Sequence, residues 1–533
     1  MVSSEKVKQK GLASGSAKWT RKLKKYHKWP GIVVSGFALL FALSGIILNH
    51  RNVISSVDIS RKWMPPGYQY NNWNMGGVRS SLQVGNDSVI IYGNIGIWLV
   101  TEGSTGFHDF NTGFPEGIDK RKIYSVVQFK GQLVAGTHFG LFSNTLKQHN
   151  WESVDLPKGE ERISDLTIKG DSLLILTRNF LFYTTDLVHL EQLNLPTAVG
   201  YDHKIGLFQT LWQLHSGELF GWAGMLFVDL LGLVLIFLSV TGLLHFLFPK
   251  LINRLKRNKK SYAVPLLMKK WNLNWHNLVG YLFAVFLILN TTAGMFLRPP
   301  LLIPISTAQV GIIPGTHLDT ANPWQDKLRR IVWSESSQCF IIYTSDGFFR
   351  ADKKLAKELV PMANQPIVSI MGCNVLESLD EQSYLVGSFS GLFVWNPVSG
   401  AVLDYFSGSP VEASSGIGRP VGEHMVAGFI RDGKGRIYWV DYNLGTKAID
   451  GGSPFPAMSG EIIAKSPISL WNAALEVHTG RIFEHLVGPF YLLYVPLMGL
   501  SVLVVLMSGF FIWWLAYRKK NIQGNPGKVI SNE

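Results

Sequence analysis

Apolar residues follow two incompatible rhythms along this 533-residue chain. Four stretches, at about 31–49, 222–247, 278–297 and 488–515, run apolar almost without interruption and have the length of bilayer-crossing helices. Between them, residues 51–210 and 300–470 alternate apolar and polar positions in short runs broken by Gly, Asn, Asp and Ser, as half-buried strands do. The expected order is a basic N-terminus 1–30, a membrane helix 31–49, a β insert 51–210 and a second membrane segment 211–248. A basic linker 249–275, a third helix 276–298, a second β insert 300–470, a fourth segment 471–517 and a tail 518–533 complete it. The first apolar stretch has no small-residue cleavage site and recurs internally, so it reads as a span rather than a leader.

The apolar part is written twice. His27-Lys-Trp-Pro-Gly31 opens one apolar stretch and His276-Asn-Leu-Val-Gly280 another, with Gly45 and Gly294 each 18 residues beyond the histidine. His215-Ser-Gly-Glu-Leu-Phe220 and His478-Thr-Gly-Arg-Ile-Phe483 open the other two, and Gly232 and Gly242 mirror Gly499 and Gly509. This second match needs a four-residue shift between its histidine and its glycines. The expected membrane part is a four-helix bundle of two parallel repeats, with symmetry mates facing each other.

A shorter phrase recurs in the inserts: a strand, a turn, then Gly and two apolar residues. Gly93-Asn-Ile-Gly-Ile-Trp98, Gly136-Thr-His-Phe-Gly-Leu-Phe142, Tyr343-Thr-Ser-Asp-Gly-Phe-Phe349 and Gly387-Ser-Phe-Ser-Gly-Leu-Phe393 are clear copies. Thr177-Arg-Asn-Phe-Leu-Phe182 and Asp441-Tyr-Asn-Leu-Gly445 are weaker ones. A spacing near 40 residues is that of a four-stranded propeller blade. Three blades per insert cannot close a ring, whereas six can. The inserts are therefore expected to form one all-β, propeller-like outer domain, with two separate small β domains as the alternative. The phrase resembles the periplasmic sensor propellers of two-component regulators.

Charge then orients the chain. The formal net charge of +13 is concentrated beside helix ends: residues 1–29 hold nine Lys/Arg, and residues 249–275 hold eight with no acid. Arg518, Lys519, Lys520 and Lys528 follow the last span. The rest of the chain carries more acid than base. By the positive-inside rule both termini and the linker face the cytoplasm, the spans lie in membrane lipid and the inserts lie on the outer side. The same distribution argues against a nucleic-acid partner. Cys339 and Cys373 show no zinc or CxxC spacing and read as unpaired strand residues.

Seven histidines flank the spans: His27, His245 and His276 inside, and His50, His215, His478 and His485 outside. A single one would be an interfacial anchor, but four that repeat in register point to a two-fold site. Paired neutral imidazoles on facing helices suit haem iron, and glycines beside them admit the flat macrocycle. Gly31, Gly36, Gly45, Gly280, Gly294, Gly217, Gly224, Gly480 and Gly488 are candidates for that, or for close helix packing. His27 and His50 are about 34 Å apart along one helix and serve different levels. Symmetry favours His27 with His276 on the inner level and His215 with His478 on the outer level. His50 and His485 compete for the outer level and His245 for the inner. Asp229 lies in an apolar run, where a proton-handling or quinone-contact role and a plain hydrogen bond to a neighbour are both open. Trp29, Trp222, Trp275, Trp513 and Trp514 read as interfacial belt residues. No dinucleotide fingerprint, Walker A loop or H-E-x-x-H is present.

His27-x-x-x-Gly31 with Ser-Gly45, and His478-Thr-Gly-Arg-Ile-Phe483 with Ser-Gly509, resemble the PepSY-associated transmembrane helix family. That family includes inner-membrane proteins of iron–siderophore uptake, among them a di-haem ferrisiderophore reductase. The resemblance implies two b-type haems, a quinol or other electron donor and outward electron transfer to a periplasmic ferric siderophore or ferric chelate. The propeller-like inserts depart from the small α/β modules the family often carries. The alternative is a haem-free, membrane-anchored propeller that senses or binds an outer ligand.

Overall fold

The computed structural model describes residues 2–85, 88–101, 106–145, 150–157, 162–369, 371–411 and 422–523, with the backbone alone for 2–18 and 516–523. Four helices are long and apolar enough to cross a membrane, within Trp19–Asn49, Glu218–Arg257, Ala263–Met295 and Arg481–Leu515. In chain order the helices are α1 (Val2–Asn49), α2 (Arg51–Ile54), α3 (Leu207–Ser216), α4 (Gly221–Arg257) and α5 (Ala263–Met295). They continue as α6 (Gly460–Ala464), α7 (Leu470–His478), α8 (Glu484–Val487) and α9 (Tyr494–Gln523).

The bundle packs α1 against α4 and α9, and α5 against the same two, so α1 faces α5 across it. Small residues set these contacts, and they obey the repeat. A Cβ on Gly232 of α4 would meet Ile46 of α1 at 3.1 Å, and one on Gly499 of α9 would meet Met295 of α5 at 2.3 Å. Gly280 against Leu238 and Gly31 against Val505 are a second related pair. Close backbone approach through glycine is what holds apolar helices together where no hydrophobic drive separates them from lipid. Gly36 meets nothing within 4 Å and takes no part.

The segments that carry His215 and His478 differ from expectation. They do not open the spans. Each histidine lies near the C-terminal end of a short helix, α3 or α7, and Gly217 (φ 87°) or Gly480 (φ 74°) then takes the left-handed conformation that ends it. The chain turns there and enters α4 or the α8–α9 segment. α3 packs on α5 and α7 on α1. The four-residue shift is α8 itself, Glu484–Val487, which the first repeat lacks. His27 and His276 lie inside α1 and α5 rather than at their starts.

The inserts form small antiparallel sheets. Three four-stranded sheets come from the first insert, with first strands Ser80–Gln83, Ile123–Phe129 and Ile163–Lys169. Two more four-stranded sheets and one of three strands come from the second, with first strands Leu328–Ser334, Val375–Ser378 and Val426–Arg431. Each first strand touches the first strands of the sheets before and after it, and the sixth touches the first. Consecutive sheets share apolar cores. Ile90 and Tyr92 pack with Val126 and Ala135, and Leu174 and Leu176 pack with Ile331 and Ile342.

Three backbone seams join the two inserts. Asp58–Ile59 pairs with Ile468–Ser469, and Lys204–Gly206 pairs with Gln309–Gly311. The segment after residue 70 seals against the sixth sheet, where Met75 N–H donates to Tyr442 O (2.6 Å) and Thr446 N–H to Asn72 O (3.0 Å). Both cysteines are buried and free.

This last seam depends on Gly445, whose φ is 81° and where a Cβ would come within 1.8 Å of Asn72 O. Gly445→Ala is expected to cost about 2–4 kcal/mol, from strain and from overlap with backbone. Gly311→Ala, at a position with nothing within 4 Å, should be neutral. Thermal melts of the detergent-solubilised protein measure both. Equal melting temperatures would show that the seam does not hold the inserts together.

Candidate functional site

The sequence places a histidine on each of α1, α3, α5 and α7, and the fold brings them together in two pairs. His27 and His276 have ring centres 6.2 Å apart with an interplanar angle of 70°. His215 and His478 have ring centres 6.1 Å apart at 48°. His27 and Gly45, the residue against which His478 rests, are 18 positions apart on α1, about 27 Å along the helix. The two levels therefore lie near the two faces of a hydrocarbon core about 30 Å thick.

All four rings are held in the same way. Each packs on a glycine of another helix: a Cβ on Gly45 would meet His478 at 3.3 Å, on Gly294 His215 at 2.5 Å, on Gly509 His27 at 2.9 Å and on Gly242 His276 at 3.6 Å. Each uses Nδ1 for a hydrogen bond to the same helix that supplies the glycine. His27 Nδ1 lies 3.0 Å from Val505 O and 3.2 Å from Ser508 Oγ. His276 Nδ1 lies 2.8 Å from Thr241 Oγ1. His215 Nδ1 lies 3.0 Å from Asn290 O, and Asn290 Nδ2 donates back to His215 O at 2.9 Å. His478 Nδ1 lies 3.0 Å from Ser44 Oγ and 3.2 Å from Phe41 O.

The carbonyls at 41, 290 and 505 each precede their glycine by four residues, and Ser44, Thr241 and Ser508 each precede theirs by one. With a carbonyl accepting from Nδ1–H, the tautomer is set and Nε2 keeps its lone pair. No Nε2 of the four makes a hydrogen bond among the described residues.

The remaining histidines are placed otherwise. His50 Nε2 lies 2.8 Å from Asp229 Oδ2, and Asn49 Nδ2 donates to Asp229 Oδ1 at 3.1 Å. Asp229 is thus met by two side chains from the end of α1, a partner set the sequence did not identify. His485 lies on α8, exposed, with Nδ1 against Ile482 O at 2.8 Å. His245 is on α4 three residues beyond Gly242; its Nδ1 is buried without a hydrogen-bond partner. The Ser/Thr-Gly dipeptides were the available signal for the Nδ1 partners. The carbonyl partners had no signal, because any residue supplies one.

Among the described residues no group of three or more His, Cys, Asp or Glu is arranged to hold a bare metal ion. Two neighbouring imidazoles with tied Nδ1 atoms, each beside a glycine, are a donor set for an ion whose remaining ligands come from a planar macrocycle. The residues present fit haem.

These features define a membrane protein with two levels of paired histidines. Residues 6–248 match the model of the PepSY-associated TM region. The second repeat lies outside the matched residues. Comparison with curated protein sequences gives no match. Solved structures similar to the chain include the extracellular domain assigned to a hybrid two-component system of B. thetaiotaomicron (TM-score 0.34, 11% identity). A GH74 xyloglucanase from Xanthomonas campestris (0.33, 11%) and the N-terminal domain of Nup159 (0.28, 10%) are others. They cover 69%, 71% and 70% of this chain, which in turn spans 32%, 46% and 89% of their lengths. Likenesses of this degree decide nothing about fold or activity.

Asp229→Ala leaves His50 Nε2 without its acceptor and is expected to cost about 1–3 kcal/mol. Asp229→Asn, which keeps an acceptor oxygen, should recover at least half of the loss. Melting temperatures of the two variants check this. A wild-type value for Asp229→Ala would mean that the contact contributes nothing to stability.

Proposed function

We propose that this chain is a membrane oxidoreductase holding two b-type haems, one between His27 and His276 and one between His215 and His478. The observation that carries the reading is the separation of the paired rings, 6.2 and 6.1 Å. Two imidazoles on opposite sides of one ion, with bonds of about 2 Å each, have ring centres about 6 Å apart. Haem, when bound, supplies a one-electron carrier whose potential depends on its axial ligands and their surroundings. The chain's residues do the rest. Phe41 O, Asn290 O and Val505 O orient the imidazoles and raise their basicity, Thr241 serves His276, and the glycines leave room beside each ring.

The inner membrane, with both termini cytoplasmic and both inserts periplasmic, is the orientation the flanking charge supports. Electrons then enter at the His27–His276 level, from quinol or another donor, and leave at the His215–His478 level. A ferric siderophore or other ferric chelate is the acceptor. Each quinol oxidised to quinone supplies two electrons and releases two protons, and reduces two ferric ions. The six sheets are read as one six-bladed propeller above the outer level. Support comes from the run of contacts from the first sheet to the sixth and back, and from the apolar cores shared by neighbours.

A pyridine haemochrome assay on the purified protein should give two haems per chain. His27→Ala or His276→Ala should bring it to one, as should His215→Ala or His478→Ala, with all four proteins still inserted. Two haems retained in both inner variants would dismiss the inner pair and make His245 the next ligand to test. A wild-type protein without haem would leave the sensor reading in its place.

Orientation is checked separately. A reporter fused at Ser399 should be active only if it is of the periplasmic type. Activity of a cytoplasmic reporter at that site would invert the proposed direction of electron flow.

A further inference from the structure

We propose that the end of the outer domain facing the bundle is a binding site for an anionic, carboxylate-coordinated metal chelate. This rests on the reductase reading only for its purpose, since it names the class of ferric chelate that would be reduced.

The site is built where the first strands begin. Arg79 precedes the first of them, and its guanidinium carbon lies 4.7 Å from the centre of the Tyr124 ring. Arg162, ahead of the third, lies 6.0 Å from the same ring. The Tyr124 hydroxyl is 3.1 Å from His138 Nδ1. Tyr124 and Arg329 each fall at a register shift that takes them out of the strand ladder.

Among the described residues around this centre the cations outnumber the acids. Arg51 and Lys122 share Asp119 at 2.8 and 2.6 Å, Arg178 holds Asp326 at 2.8 Å, and Arg330 holds Asp165 at 2.8 Å. Arg329 reaches Asp326 only at 4.0 Å. Glu377 accepts from Ser80 Oγ at 3.2 Å. Arg79 and Arg162 have no carboxylate partner among the described residues, and Arg79 makes one long hydrogen bond, 3.4 Å to Asn94 Oδ1. Arg79 is half-buried and Arg162 exposed, and two neighbouring guanidiniums with no described carboxylate partner attract an anion that can join them.

The titrating groups here register the excess positive charge. Burial opposes ionisation of the Tyr124 phenol, yet Arg162, Arg79, Arg51 and Lys122 together bring it down to about 8. Burial, then Arg51 and Arg162, push His138 down to about 2. Neutral His138 and the guanidinium planes make a donor-rich wall, and guanidinium binds carboxylate in two-point fashion.

Position gives the charge its meaning. The same end of these strands meets the membrane helices. Arg51 follows His50 at the top of α1 and stacks over Trp471 of α7 at 3.9 Å. Lys122 reaches Asn472 of α7 at 3.2 Å, and that helix ends at His478. An anion held by Arg79, Tyr124 and Arg162 would lie over the outer histidine pair.

Gallium(III) citrate, which cannot be reduced, tests binding apart from electron transfer. By calorimetry on the full-length protein in detergent, it should bind the wild type. Arg79→Gln and Arg162→Gln should each weaken it at least tenfold. Arg162→Lys, which keeps the charge, should lose less than Arg162→Gln. Without ligand, both Gln variants should melt no lower than the wild type, because an uncompensated charge has been removed. Inorganic phosphate at equal concentration should not displace the chelate. No binding to the wild type, unchanged affinity in both Gln variants, or equal displacement by phosphate would each overturn the proposal. If the chelate binds as expected to a protein that proves to lack haem, the reductase reading fails and the site stands.

Discussion

One contact organises the membrane half of this protein: an imidazole laid on a glycine of a neighbouring helix, with its Nδ1 tied to that helix. It occurs four times, at His27–Gly509, His276–Gly242, His215–Gly294 and His478–Gly45. In lipid, apolar packing alone leaves helices free to rotate about their axes, because the tails are as apolar as the side chains. A buried nitrogen that must find an acceptor removes that freedom. It fixes rotation and depth together. Helices α1 and α5 donate the inner rings to α9 and α4, while the short helices α7 and α3 donate the outer rings back to α1 and α5. The bundle is knit at both ends by the same reciprocal exchange, and the two-fold relation of the helices follows from it.

The sequence made the scaffold legible because duplication leaves a measurable offset. His27 and His276 share their spacing to Gly45 and Gly294, so the pairing across the axis was readable before any coordinate. The competitor histidines had no such offset. His485 proves to lie in α8, the four residues by which the repeats differ, and His50 is engaged by Asp229. What escaped was local. That His215 and His478 ride on separate short helices follows from the left-handed Gly217 and Gly480, and a glycine inside an apolar run does not announce its φ. The β phrases marked the sheets correctly but could not show that Asn72 and Met75 seal the sixth. The cationic centre was invisible because Arg79, Tyr124 and Arg162 are single residues at strand starts, with no period to betray them.

The outer domain and the bundle are not independent modules joined by linkers. Each insert leaves and re-enters the membrane through segments paired with the other insert: residues 58–59 with 468–469, and 204–206 with 309–311. Residues 204–206 and 468–469 stand directly before α3 and α7, while 58–59 and 309–311 follow α1 and α5 after short intervening segments. Any shift of the sheets would pull on the helices that carry His215 and His478. Arg51, Asp119 and Lys122 add a buried ionic link between the top of α1 and the second sheet. Such a link contributes little net stability but fixes geometry, since breaking it would strand a buried charge. The outer histidine pair is therefore positioned by both halves of the protein.

The departures from symmetry are concentrated at that outer level. By the offset that relates α1 to α5, Asn49 corresponds to Arg298 and His50 to Pro299; by the offset relating α4 to α9, Asp229 corresponds to Pro496. The first repeat thus carries a His–Asp–Asn constellation where the second carries a half-buried arginine and two prolines. Nothing in the packing requires this, since Gly232 and Gly499 keep equivalent contacts nearby. A symmetric pore or anchor would gain nothing from such a difference. Under the proposed electron path, it would set which charge is held beside the outer histidine pair. Arg298 and Arg481, the latter paired with Glu476, belong to the second repeat, and Arg51, paired with Asp119, to the first, while the scaffold beneath stays two-fold. The duplication supplies the two members of each histidine pair, and the asymmetric rim distinguishes one level from the other.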